Sequence, residues 1–174
     1  MSGHSKWSQI KHKKGVSDQK RGQLFSKLAK AISLAAKQGT DPLANPQLQA
    51  AIEQAKKHDL PGDNIDRAIK RAGEKDSASL EKITIQAIGP GSVAVIIEAV
   101  TDNRNRTIAN IKNVLGRYGA KMVQENSLNW IFNEGWKPKI LQEISDKETR
   151  NKLEMLFIEL RADEDVGNVF TNFQ

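Results

Sequence analysis

The chain contains no cysteine. That excludes disulfides, thiolate metal sites, iron–sulfur clusters and cysteine nucleophiles together, and it leaves the redox compartment open. Long apolar runs are missing too. The longest aliphatic stretch, Val93 to Ile97, ends at Glu98, far short of the ~20 residues a membrane-spanning helix needs. Aromatic residues make up 5% of the 174, and there are three histidines. His4 and His12 are eight apart and His58 is isolated, with no acidic partner at metal-ligand spacing, so no metal and no cofactor is expected. The G-x-S-x-G elbow, H-E-x-x-H and a Ser/His/Asp set are absent, and Gly89-Pro90-Gly91-Ser92 lacks the Lys-Ser/Thr ending of a phosphate loop. Neither catalysis nor a small-molecule substrate is expected. The start, Met1 to Trp7, is polar and has no apolar signal core, which makes the cytoplasm the expected location.

Acid is scarce where base is abundant. Residues 1–40 hold nine Lys/Arg against the single acid Asp18, a local charge of +8; residues 41–174 hold 18 basic and 20 acidic side chains, or −2. The whole net charge of +6 therefore sits in the first quarter. Local potential rather than total charge concentrates counter-ions, so this asymmetry points to a polyanionic partner, nucleic acid foremost. A solubilising basic arm is the plainer alternative.

The apolar spacing predicts helices first and strands later. From Asp18 to Gln38, Leu24, Phe25, Leu28, Ile32 and Ala35 recur at three- and four-residue steps, while Lys20, Lys27, Lys30 and Lys37 fall on a separate stripe. Asn45-Pro46 reads as an N-cap and first helical residue of a second helix to about His58. Leu60-Pro61-Gly62 breaks it, and Asp63 is placed to cap a third, with Arg67, Lys70 and Arg71 outward. Residues 72–79 read as a linker between a basic helical domain, 1–75, and a second domain, 80–174. In the latter, Ile83 to Ile88 alternates like a half-buried strand, and Ser92 to Val100 is a strand rich in β-branched residues across a Gly89-Pro90-Gly91 turn. A helix follows over Thr107–Tyr118. Two more strands are expected at Lys121–Val123 and Leu128–Phe132, then a helix capped by Ser145 and a closing strand at Val169–Phe173. The fold class is α+β: a three-helix N-terminal domain followed by a two-layer sandwich, ferredoxin-like in kind.

Candidate nucleic-acid contacts gather at the start. Lys6, Lys11, Lys13 and Lys14 suit phosphate oxygens, with His12, Lys20, Arg21, Lys27 and Lys30 extending the set. Trp7 suits stacking on an exposed base, worth ~1 to 3 kcal/mol, or, equally, packing as a hydrophobic staple. Arg104 and Arg106, in Asp102-Asn103-Arg104-Asn105-Arg106-Thr107, read either as a fork for phosphate or carboxylate or as solvated neighbours of a capping Asp102 or Asn103. The acidic run Asp163-Glu164-Asp165 reads as a solvated loop.

Gly3–Lys14 (GHSKWSQIKHKK), Leu60–Lys70 (LPGDNIDRAIK), Gly89–Thr107 (GPGSVAVIIEAVTDNRNRT) and Asp165–Phe173 (DVGNVFTNF) closely resemble the YebC/PmpR family. The resemblance implies a helical N-terminal domain followed by ferredoxin-like domains. It also implies a regulator of gene expression: a DNA-binding transcriptional regulator, or a ribosome-associated translation factor or translational activator that binds RNA. Family members commonly carry a further α/β domain between positions equivalent to Phe132 and Asp146; here Asn133–Ser145 is a short connection, so the chain resembles a minimal form. A ribosome-associated factor that contacts ribosomal RNA through its basic domain is the leading expectation, and a DNA-binding regulator the alternative. A monomer is expected.

Overall fold

The computed structural model describes residues 3–74 and 79–174, and residues 3–16 by their backbone alone. The chain divides into two compact units, Met1–Ser77 and Ala78–Gln174. Residues 75–78 of the expected linker lie outside the described residues. Among the described residues no helix is long and apolar enough to cross a membrane.

The first unit is three helices: α1 (Gly3–Ala36), α2 (Pro46–Lys57) and α3 (Gly62–Ala72). The backbone is helical well ahead of Asp18, where the apolar periodicity begins. α1 ends at Ala36, and the amides of Lys37, Gln38 and Gly39 turn back onto the carbonyls of Leu34, Ala35 and Ala36 at 3.3, 3.2 and 3.1 Å. Ile32, Leu48, Ala55, Leu60, Ile65 and Ala68 interlock as the core, small residues alternating with branched ones so that the helices approach closely. Asn45 fixes their arrangement. Its side-chain oxygen accepts from the Leu48 amide at 3.1 Å, capping α2, while its nitrogen donates to the carbonyls of Ala35 and Gly39, both at 2.8 Å. Ser33 ties α1 to α3 by donating to the Ala68 carbonyl at 2.7 Å. The expected cap of α3 is corrected: Pro61 occupies the N-cap with no side-chain bond, and Asp63 sits in the first turn, where its charge favours the helix N-terminus.

The second unit orders β1 (Glu81–Ile88), β2 (Ala94–Thr101), α4 (Arg104–Arg117), β3 (Lys121–Met122), α5 (Lys147–Ala162) and β4 (Val166–Thr171). The sheet order is β3-β1-β2-β4 and every pairing is antiparallel. This is the two-layer α+β sandwich of the sequence reading, built hairpin first. At the turn Gly91 has φ 67°, a conformation that favours glycine, and a Cβ there would press on the end of the Ile144 side chain. Ile83, Ile85, Val95 and Ile97 meet Ile111 and Leu115 of α4 and Leu153, Leu156 and Leu160 of α5 on one face. Ala94 and Ile96 of β2 face the other way, onto Leu128, Ile131 and Phe132.

That second face overturns the expected strand at Leu128–Phe132. The segment is a short 3₁₀ turn at Asn129–Ile131 that lies over the sheet. Gln86, buried on β1, holds it there: its Oε1 accepts from the Leu128 amide at 2.8 Å and its Nε2 donates to Asn129 at 2.7 Å. The expected cap of α5 moves by one residue, since Asp146 rather than Ser145 accepts from the Thr149 amide, at 2.8 Å. The closing strand likewise begins at Val166, ahead of Val169.

Candidate nucleic-acid interface

The cationic candidates divide between the two units. On α1, Lys20 and Arg21 are exposed, while Lys27 and Lys30 are half-buried. At about 100° per residue Lys20, Lys27 and Lys30 fall on a stripe roughly 120° to 160° round the helix from Ile32, which enters the core, with Lys20 and Lys27 nearer the flank of Ala35. The Arg21 guanidinium stands 5.2 Å over the Phe25 ring, a cation–π contact that holds it against the helix surface. The side chains of Lys6, Trp7, Lys11, His12, Lys13 and Lys14 lie outside the described residues. His58 is the C-cap residue of α2.

Arg104 and Arg106 belong to the second unit, where β2 passes into α4. Asn103 caps the helix by accepting from the Arg106 amide at 3.1 Å. The Arg106 guanidinium donates to Asp102 at 2.8 Å and to Asp165 at 3.1 Å. Asp165 is 3% exposed, which corrects the solvated-loop reading of Asp163-Glu164-Asp165 at that residue, while Glu164 is exposed. Its carboxylate also takes the Thr107 hydroxyl at 2.7 Å, and the Thr107 and Thr101 hydroxyls are 2.8 Å apart. A carboxylate this buried is stable only when donors surround it, and α4 and β4 are joined through those donors. The hydrogen bonds to Asp165 and then Asp102 raise the Arg106 pKa above its ordinary value. Arg106 is thus paired with carboxylates of its own unit while its side chain stays 44% exposed. Arg104 is looser, 3.5 Å from Glu81 with both side chains about half-exposed.

A second cluster escaped the sequence reading. Glu98 of β2 receives Lys82 at 2.8 Å, the Trp136 indole N–H at 3.2 Å and the Asn168 amide at 3.2 Å. Burial alone would raise its carboxyl; the bonds from Lys82, Asn168 and Trp136 outweigh burial and hold it below the ordinary 4.5. No local signal joins residues this far apart in sequence.

A basic helical unit joined in sequence to an antiparallel α+β sandwich, whose Arg106 is paired with that unit's own carboxylates, defines the class of protein. The family model for the TACO1/YebC protein N-terminal domain matches residues 5–75, and that for the TACO1/YebC second and third domain matches residues 80–135. The chain belongs to the TACO1/YebC family. A "Probable transcriptional regulatory protein" of Chloroherpeton thalassium is 44% identical over 177 residues, covering 99% of this chain and 71% of the relative. One of the same description from Chlorobaculum parvum is 52% identical over 135 residues, covering 76% of this chain and 54% of the relative. The chain spans about half the length of several of the curated relatives it matches. Among solved structures, "Crystal Structure of a Conserved Hypothetical Protein Aq1575 from Aquifex Aeolicus" superposes with a TM-score of 0.84 at 29% identity, over 88% of this chain and 90% of that one.

Proposed function

We propose that this chain is a regulator of gene expression that binds ribosomal RNA through its basic helical unit and acts as a ribosome-associated translation factor. The observation that carries the reading is the charge distribution, +8 over residues 1–40 against −2 over the rest. The relatives' description as regulatory proteins supports a regulatory role. RNA is favoured over duplex DNA on chemical grounds. Spaced lysines and a tryptophan suit irregular, partly unstacked RNA, and on α3, the helix that carries both Asn64 and Arg67, the Arg67 guanidinium is already bonded to Asn64 rather than held out for base edges in a major groove. The contacts assigned to phosphate are Lys6, Lys11, Lys13, Lys14, Lys20, Arg21, Lys27 and Lys30, with His12 as a further donor, Trp7 as the stacking group and Arg104 as an outlying contact.

A second reading, DNA-binding transcriptional regulation, has the relatives' printed name in its favour. One experiment separates the two. Competition in cell extract at near-physiological salt asks whether the chain co-sediments with ribosomes or is captured by genomic DNA. Engagement of about five phosphates gives a slope of log K against log salt near −3.5 for single-stranded RNA. A slope near zero removes both readings, and capture by DNA alone removes the first.

A further inference from the structure

α1 outruns the core that supports it. The residues it gives to that core run from Phe25 to Ala36. Residues 17–22 are all exposed. Six consecutive positions go right round the axis, so among the described residues nothing backs the helix there. The backbone nevertheless stays helical back to Gly3. Gly3 to Leu24, 22 residues or about 33 Å of helix, stand ahead of the core. The basic positions of α1 fall in two rows. Lys6, Lys13, Lys20 and Lys27 recur every seven residues, and so do Lys14 and Arg21. Seven residues are close to two turns, so each row runs nearly straight along the axis, about 10 Å per step, with the rows about 100° apart. Up to residue 24 this arm holds six cations and one acid, Asp18.

We infer, on the footing of the RNA reading above, that the arm enters the groove of a bulged RNA duplex as a ready-made helix. A single strand offers one line of phosphates and engages one row of cations. A groove has a phosphate wall on either side and engages both. Five of the six cations are lysines, compact charges that grip phosphate without the planar fork of arginine. Phosphate walls stand closest together in the deep, narrow major groove of A-form RNA. A bulge opens that groove to the 10–12 Å or so that a helix needs. Because the helix exists before contact, little ordering has to accompany binding.

The test uses the full chain and four fluorescently labelled probes, read by anisotropy at one salt concentration. They are an RNA hairpin with a bulge in its stem, the same hairpin without the bulge, a single RNA strand of equal length, and a DNA duplex. The bulged hairpin is expected to bind at least about tenfold tighter than each of the others. Gln19→Pro ends the helix ahead of the core at unchanged charge. It should lower affinity for the bulged hairpin about tenfold and leave that for the single strand as it was. Gly22→Ala adds a methyl with nothing within 4 Å and favours the helix, so it should tighten the bulged hairpin about two- to threefold. Circular dichroism and thermal unfolding check that the core from Phe25 onward is intact in both variants. Equal binding of another RNA probe, indifference to Gln19→Pro, or weaker binding by Gly22→Ala overturns the inference and leaves the RNA reading standing. Tighter binding of the DNA duplex overturns it in favour of the transcriptional reading, and binding of none of the four removes both.

Discussion

In the sheet unit Arg106, Arg117 and Lys82 each end on a carboxylate of the same unit, at 3.1, 2.7 and 2.8 Å, whereas the first forty residues of the helical unit offer one acid for nine basic side chains. These cations are 44, 60 and 52% exposed, so each pair is weak by itself, yet the neighbouring carboxylate cancels much of the field that a polyanion would meet. Cations for which the sequence supplies too few acids keep a field that reaches outward over about a Debye length. Counting charges over the whole chain hides this division of labour.

The sharpest way to separate the units is through their cores. Leu48 is fully buried among α1, α2 and α3, and Leu48→Ala is expected to cost about 3 kcal/mol. Calorimetry should show one transition moving down while the sheet unit's transition stays; a single shared transition that moves as a whole breaks the distinction. Next in size, Asp165→Ala strips Arg106 and Thr107 of a common acceptor and should cost the sheet unit about 2–3 kcal/mol, measured by urea unfolding. RNA affinity should hold under conditions where the variant is folded. Lys13→Glu/Lys14→Glu inverts that pattern. Stability stays within about 0.5 kcal/mol, affinity falls alike for all RNA sequences, and the salt slope shrinks by about 1.4; a loss confined to one DNA site favours the transcriptional reading. Arg104→Glu, at an outlying contact, should weaken RNA binding measurably but less than the arm lysines do, and an effect as large as theirs removes the contrast. The smallest effect is on acid stability. The folded Glu98 pKa lies below its ordinary 4.5, so its contribution is complete above that pH and is lost as pH falls through the lowered folded value. Glu98→Gln should flatten the unfolding profile of the sheet unit in that acid window and leave its slope near neutrality unaltered.

Much of this architecture can be read from local chemistry. Asn45-Pro46 announces α2, Asn103 lies where a cap for α4 is needed, and the run Val93–Ile97 leads into β2 (Ala94–Thr101). What that run also implies is that both faces of the strand are covered, and the cover is where local reading fails. Leu128, Trp130 and Phe132 alternate like a strand, yet Leu128, Ile131 and Phe132 are buried while Trp130 stays 63% exposed. Period two in a short segment does not distinguish pairing at a sheet edge from lying across its face. Gln86, Glu98 and Asp165 have the same difficulty in polar form. Each is explained by partners far away in sequence, so composition alone reads Asp165 as one more surface acid. The candidate contacts were legible as a charge excess, and which arginines the fold keeps for itself was not, because that depends on where β4 places Asp165.

Asn45 also bears on the chemical durability of the chain. Its amide nitrogen faces two carbonyl oxygens, so hydrolysis to aspartate would exchange a donor for an acceptor at unchanged shape and set three oxygens against one another. The ordinary route to that lesion is attack by the next residue's backbone nitrogen to form a cyclic imide, and the next residue is Pro46, whose nitrogen carries no hydrogen. The residue that starts α2 thereby shields the side chain on which the three-helix arrangement turns from slow ageing.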